Sequence, residues 1–235
     1  MQEDMLMKKY ENEVFEGLDT YGRWSRKIEN MEFCKCHFQS SFTISKRPKH
    51  RFLIRNVKLV RCTYLSCDFY STILEDIVVD GLHQRGRSPL FFWGCGFRHV
   101  CLQGKLSTPI LNAIHSISPT EKQKKIWEKV HADYYKDVDW ALDIREAKFT
   151  SFFDVRGVPA DLVRRDPESQ IVVRRGNVLS IGNKLENIDS LWPMTIKWFL
   201  ESGASDIVIV AGKGNPKFKQ WKEEICYMKD IGVAE

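Results

Sequence analysis

Four groups of residues in this chain are of types that could carry chemistry. Cys34-Lys35-Cys36, followed at once by His37, offers thiol and imidazole donors. A tetrahedral zinc site ordinarily takes a second pair at comparable spacing, and none follows. The turn Ala211-Gly212-Lys213-Gly214-Asn215-Pro216 lies between an apolar run and a helical pattern, a setting in which backbone amides can hold phosphate. Its candidate phosphate-binding residues are Gly212, Lys213 and Gly214, although the Gly-x-x-x-x-Gly-Lys-Ser/Thr spacing is missing and a strand-to-helix turn uses glycine for geometry alone. Asp137, Asp139, Asp143 and Glu146 form a local acidic group suited to proton transfer or a cation, or simply to a solvated turn. The six histidines (37, 50, 83, 99, 115, 131) stand in no catalytic spacing, and neither Gly-x-Ser-x-Gly nor His-Glu-x-x-His occurs. These patterns assign no catalytic residue, no metal and no cofactor.

The fourth group is basic. Between Glu32 and Asp68 there is no acid, yet the interval holds Lys35, Lys46, Arg47, Lys49, Arg51, Arg55, Lys58 and Arg61. Residues 1–110 carry 17 basic and 12 acidic side chains against 19 of each in 111–235, so the whole net charge of +5 lies in the first half. A local positive field of this kind attracts an acidic protein partner or nucleic acid. Lys46, Arg47, Lys49, Arg51, Arg55, Lys58 and Arg61 are therefore the candidate partner-binding residues. Nucleic acid would also want exposed aromatics for stacking, and the nearby Phe52, Tyr64 and Phe69 fall in the inward register described below.

These groups need a scaffold, and composition bounds its class. With 235 residues, 43% hydrophobic and 29% charged, the chain can bury a core without disulfides or metal. No run of 18 apolar residues occurs, and Met1-Gln2-Glu3-Asp4 lacks the apolar core of a signal peptide, so a cytoplasmic protein with no membrane segment is expected. Seven cysteines, an odd number, read as reduced thiols in the core.

The scaffold announces itself as a period of five. In 52–79 apolar or small residues pair across one position: Phe52/Ile54, Val57/Leu59, Cys62/Tyr64, Cys67/Phe69, Thr72/Leu74 and Ile77/Val79. The pattern returns, shifted in phase, at Met31/Phe33, Cys36/Phe38, Leu90/Phe92, Cys95/Phe97 and Val100/Leu102, after polar insertions at 45–50 and 83–89. A helical wheel advances about 140° for each step of five, so these pairs would wrap round a helix without forming one face. A coil that turns a corner every five residues points both members of each pair inward, and four such sides close a square rung.

In this respect the chain resembles the pentapeptide-repeat family, whose unit is a small residue, a variable one and a central Leu or Phe. The matching centres are Leu59, Tyr64, Phe69, Leu74, Val79, Phe92, Phe97 and Leu102, with Val57, Cys62, Cys67, Thr72, Ile77, Leu90, Cys95 and Val100 at the small position. The family's Ala-Asp/Asn-Leu triplet occurs clearly only at Ala160-Asp161-Leu162. The resemblance covers roughly 28–105 and parts of 140–175. It implies a mainly β fold, a short right-handed quadrilateral β-helix. An irregular antiparallel sheet is the alternative architecture.

Around this coil the sequence predicts an N-terminal cap over 1–27 and a helical insertion at about 119–137. The helix's expected apolar stripe is Ile126, Trp127, Val130 and Tyr134. A hairpin is expected around Gly176-Asn177, ending the β domain at 182. A C-terminal α/β cap then spans 183–235, with helices at about 190–201 and 217–229 and a strand at 207–210. The leading functional expectation is a non-catalytic protein-binding module. The resemblance adds a bacterial immunity or protective protein that neutralises a partner, and homo-oligomers are open to it. Nucleic-acid binding through 46–61 and an enzyme acting on a nucleotide or phosphate substrate are the alternatives.

Overall fold

The computed structural model describes residues 7–17, 27–44, 50–113, 120–181 and 192–235. In chain order its strands begin β1 (Lys8–Glu11), β2 (Val14–Glu16), β3 (Lys27–Cys34), β4 (His37–Gln39), β5 (Phe42–Ile44), β6 (Phe52–Leu65), β7 (Asp68–Tyr70), β8 (Thr72–Gln84), β9 (Phe91–Trp93), β10 (Gly96–Leu106) and β11 (Ile110–Asn112). Helix α1 (Glu121–Tyr135) precedes β12 (Leu142–Asp143), β13 (Ala147–Phe149), β14 (Phe153–Val155), β15 (Val163–Arg164) and β16 (Gln170–Arg174). Helices α2 (Arg175–Ile181) and α3 (Trp192–Ser202), strand β17 (Asp206–Val210) and helix α4 (Phe218–Asp230) complete the described elements.

The protein is mainly β. A ten-stranded sheet runs β1-β3-β6-β8-β10-β12-β15, with β2, β4 and β13 joined off that path, and a second sheet runs β11-β9-β7-β5. Every pairing in these two sheets is parallel. Leu59 lies opposite Val79, 20 residues on, which is four units of five with nothing added. Phe33 pairs with Leu59 and Val79 with Leu102 over longer offsets, because the polar insertions 45–50 and 83–89 fall between them.

Corners recur at the same period. Asn56, Arg61, Ser66, Ser71 and Asp76 all hold φ between 51° and 54°, and Gly81 and Gly86 continue the series. Each left-handed corner lets the next short stretch set off in a new direction while the pair flanking the variable residue stays inward. Asn56 suits its corner because its side chain tolerates the left-handed region, and its Nδ2 donates at 2.7 Å to Oδ1 of Asn30, which holds a left-handed φ of 60° one row away.

The inward rows form the core. Tyr64 and Leu74 are buried in two clusters, and Phe69 packs against both, its ring stacked on Phe92 at 5.1 Å. Cys36, Cys62, Cys67 and Cys95 are buried at the small position, each Sγ directed at the carbonyl two residues earlier and at one in the preceding row; Cys62 reaches Val60 O at 3.6 Å and Phe33 O at 3.4 Å. All seven cysteines are free.

Within the expected N-terminal cap, β1 and β2 add another layer to the parallel stack, pairing with β3 and β4. Two expectations are corrected. The expected hairpin at Gly176-Asn177 is instead helix α2: β16 pairs antiparallel with the distant β17, which leaves 175–181 free to coil. Ala160-Asp161-Leu162 is a 3₁₀ turn, not a coil side.

Strands β14 and β16 flank β17 in an antiparallel sheet. Strand alternation sends Val172, Val208 and Val210 into the core of the parallel sheets, and Ile171, Val173, Ile207 and Ile209 into a second core with Trp192, Phe199, Ile225 and Met228 from the helices. This three-stranded sheet thereby joins the two cores. No helix among the described residues is long and apolar enough to cross a membrane.

Candidate functional site

The basic interval is contiguous in sequence and dispersed in space. Lys46, Arg47 and Lys49 lie outside the described residues. Parallel stacking puts Arg55 between Glu29 and Glu75 in one row that continues to Arg98. Arg55 Nη2 meets Glu75 Oε2 at 2.6 Å, and Nη1 lies 3.9 Å from Glu29. A second row sets Glu32 between Lys9, at 3.3 Å, and Lys58, at 3.5 Å, and the two ammonium groups hold the Glu32 carboxyl below its usual range. Arg61 is exposed at a corner and forms no ion pair among the described residues. The missing acids of 33–67 are thus supplied 20 and 26 residues away.

Arg51 behaves differently. It precedes Phe52, whose partner in β8 is Thr72, so its side chain extends along the stacked corners and donates to Ser71 O at 3.3 Å and Gly94 O at 2.7 Å. Helix α1 covers it, with the guanidinium 5.9 Å from the Trp127 ring and 5.6 Å from the Tyr134 ring. Burial lowers the Arg51 pKa, and no carboxylate pairs with it among the described residues.

Helix α1 starts at a reciprocal cap in which Gln123 N–H donates to Thr120 Oγ1 and Thr120 N–H to Gln123 Oε1. Its buried stripe is Trp127, His131 and Tyr135, with Tyr134 half-buried and Ile126 44% exposed, which corrects the expected stripe. The stripe is rotated because Trp127 and Tyr134 close over Arg51 while Tyr135 Oη accepts from Phe97 N–H at 3.3 Å. His131 is 8% exposed and neither ring nitrogen has a hydrogen-bond partner. Burial and then the Arg51 charge push its pKa down to about 4, with Gly94 opposing.

Just beyond α1, His99 Nε2 meets Asp139 Oδ1 at 2.7 Å while Nδ1 meets Asp76 Oδ1 at 3.0 Å. Burial works to lower His99, but the two carboxylates outweigh it and raise the pKa above its ordinary value. Only the imidazolium can donate from both nitrogens at once, so the charged ring fastens the segment after α1 to the corner at His99.

The other sequence candidates are also engaged in packing. Asp143 forms a bidentate pair with Arg145, at 2.6 and 3.0 Å, so the acidic group does not converge on one point. Gly214 N–H donates to Phe149 O at 2.8 Å and Lys213 Nζ pairs with Asp166 at 2.9 Å. A Cβ on Gly212 would lie 2.1 Å from Ser151 O, so close approach to the 149–151 backbone accounts for that glycine. His37 Nδ1 is 2.9 Å from Thr63 Oγ1, and Cys36 is turned inward by the left-handed corner at Lys35. Burial pushes the thiols of Cys62, Cys67 and Cys95 up, Cys95 to about 12, so at neutral pH they are protonated and poor ligands or nucleophiles. Among the described residues no group of three or more His, Cys, Asp or Glu could hold a metal ion. An interior cavity of about 80 Å³, lined by residues such as Leu74, Leu102, Phe149 and Phe153, offers no acid or base.

No protein-family model, curated protein or solved structure matches this chain. Its own geometry must therefore supply the site. The feature that sequence reasoning passed over is the outer face of β5-β7-β9-β11. Thr43, Phe69, Phe92 and Leu111 point inward there, so their neighbours point out, and those neighbours include Tyr70, Phe91, Trp93 and Ile110. The signal was present in the five-residue register: positions on either side of the centres Phe69 and Phe92 face solvent, and here they are largely aromatic.

Proposed function

We propose that this chain is a non-catalytic protein-binding module whose parallel sheets form a short, degenerate four-sided β-helix of the pentapeptide type. Support for the coil comes from the left-handed corners at every fifth residue between Asn56 and Gly86, the parallel register of 20 residues between Leu59 and Val79, and the inward rows of Cys, Leu and Phe. The partner-neutralising role is the most concrete form of this reading, and it rests on the resemblance.

The observation that carries the binding role is the contrast between outer surfaces. Charged rows on the large sheet are matched within the fold, whereas an aromatic outer face lies on a rigid support that loses little ordering entropy on association. Arg55 and Lys58 are paired internally, which leaves nucleic-acid binding with less of the interval than the sequence offered.

The test is affinity capture with the full chain from its native host, after chemical crosslinking and nuclease digestion, in moderate and high salt. A stoichiometric protein partner that survives digestion is expected. Recovery of nucleic acid alone, lost steeply with salt, would replace this reading with the nucleic-acid one. Thermal stabilisation by a nucleotide, with turnover, would replace it with an enzyme.

A further inference from the structure

Resting on the binding-module reading, we infer that the outer face of β7, β9 and β11, rimmed by Arg85 and Arg87, is the docking surface, and that its occupant is a protein segment carrying acidic and apolar side chains. Ile110 is 42% exposed, and Phe91 and Trp93 are half-buried on the same face, with part of each ring left in water. Rows stacked at strand spacing make this apolar surface continuous: Phe91 lies opposite Ile110 in the next strand, and Trp93 opposite Tyr70 in the one before. Partly exposed aromatic surface on a rigid support, with arginine beside it, has the composition of binding hot spots.

Charge selects the occupant. Arg85 and Arg87 stand exposed in the turn that runs into β9, and neither forms an ion pair among the described residues, unlike Arg55 and Lys58 on the large sheet. Among the described residues Asp68 is the one carboxylate on the face. It lies between Phe42 and Phe91, and burial raises its pKa. The rim is therefore positive around an apolar centre, which complements an acidic, apolar segment.

Ring geometry favours protein over single-stranded nucleic acid. Trp93 is stacked on Tyr70 with planes 7° apart at 6.3 Å, and on Phe91 with planes 18° apart at 5.9 Å. Neighbouring ring planes are therefore no more than 6.3 Å apart, which leaves too little room for a base to enter between them.

The test uses fluorescence anisotropy with a labelled twelve-residue peptide of alternating Glu and Leu as the probe. The wild type is compared with Arg85→Glu/Arg87→Glu, with Trp93→Ser, and with Lys122→Glu/Lys125→Glu on α1 as a charge-matched control. Melting curves are checked throughout, and the arginine pair keeps the test open if Trp93→Ser fails to fold. The two face variants are expected to weaken binding about tenfold or more and the control less than about twofold. No wild-type binding, equal losses in the control, or displacement of the peptide by twelve-residue oligo-dT would overturn the proposal. Should a partner captured from the host bind both face variants as tightly as wild type, the docking face is overturned while the binding-module reading stands.

Discussion

On the large sheet the outward row Glu29, Arg55, Glu75, Arg98 alternates in sign, whereas on the four-stranded sheet the outward row is Phe42, Asp68, Phe91, Ile110. Both rows obey one rule: parallel stacking brings residues 19 to 26 apart in sequence to within strand spacing. Like charges so placed would repel, so a row either alternates in sign or is mostly apolar with an isolated charge, as at Asp68. An alternating row completes itself and needs nothing from outside. An apolar row stays partly in water, and that difference separates a wall that serves folding from one available for binding.

The largest effect expected follows from the two sides of a single strand pair. Phe69→Asp puts an unpaired charge against Phe92 among stacked apolar rows, at a cost of several kcal/mol against a total stability of about 5–15 kcal/mol, and should prevent folding. Phe91→Lys, on the opposite side of β9 and facing Asp68, should fold and melt near wild type. Circular dichroism melts of the two proteins decide it, and a folded Phe69→Asp would invert the assignment of inner and outer faces.

Next come two arginines four residues apart. Arg51→Ala removes two charged hydrogen bonds to corner carbonyls and the seat of Trp127 and Tyr134, a loss of about 4 kcal/mol. Arg55→Ala, on a half-exposed side chain, should cost less than about 1 kcal/mol. Urea unfolding gives both values, and hydrogen exchange should quicken across 121–135 in the first variant only. Equal losses would mean that Arg51 does not anchor α1.

Much of the scaffold was legible because it is local. Small and large residues paired across one position fix which side faces inward, and Ser118-Pro119-Thr120 ahead of a mixed apolar and charged run located α1 within two residues at each end. What could not be read were consequences of pairing at long separation. The basic interval looked unpaired because Glu29, Glu32 and Glu75 lie outside it, and only the register shows them to be neighbours. Gly176-Asn177 looked like a hairpin because two β-prone runs flank it, yet the partner of β16 is the distant β17. The stripe of α1 was misjudged by one residue because Arg51, far away in sequence, decides which rings are drawn down.

Acid separates the two attachments of α1 by sign. His131 is neutral in the fold with its pKa lowered to about 4, so the stability it protects is present above its unfolded value near 6.5 and is lost as pH falls from there toward 4. The full loss is about 3 kcal/mol. Facing it are Arg51 from the start of β6 and Tyr135 from its own helix, with Cys95 beside Arg51, and none supplies a negative charge at neutral pH. His99 runs the other way: its pKa is raised, so its contribution is full below its unfolded value and disappears as pH rises through the folded one. Unfolding free energies across pH 4–8 for wild type, His131→Leu and His99→Gln should show the acid-side loss missing in the first variant and the alkaline-side loss missing in the second. An unchanged acid limb in His131→Leu would place the proton uptake elsewhere.

The smallest effect tests whether charged rows are as self-sufficient as the comparison holds. A double-mutant cycle on Arg55→Ala and Glu75→Ala isolates their coupling. The Arg55 side chain is 45% exposed and that of Glu75 14%, so solvent screens much of the attraction and about 0.5 kcal/mol is expected, fading toward zero in 1 M salt. Such a value means that the alternating row prevents repulsion more than it binds the strands together, leaving cohesion to the inner rows. A coupling above about 2 kcal/mol that persists in high salt would show the large sheet's outer face to be held together by its charges. The contrast with the aromatic face would then be one of strength and not only of which face has surface left to offer.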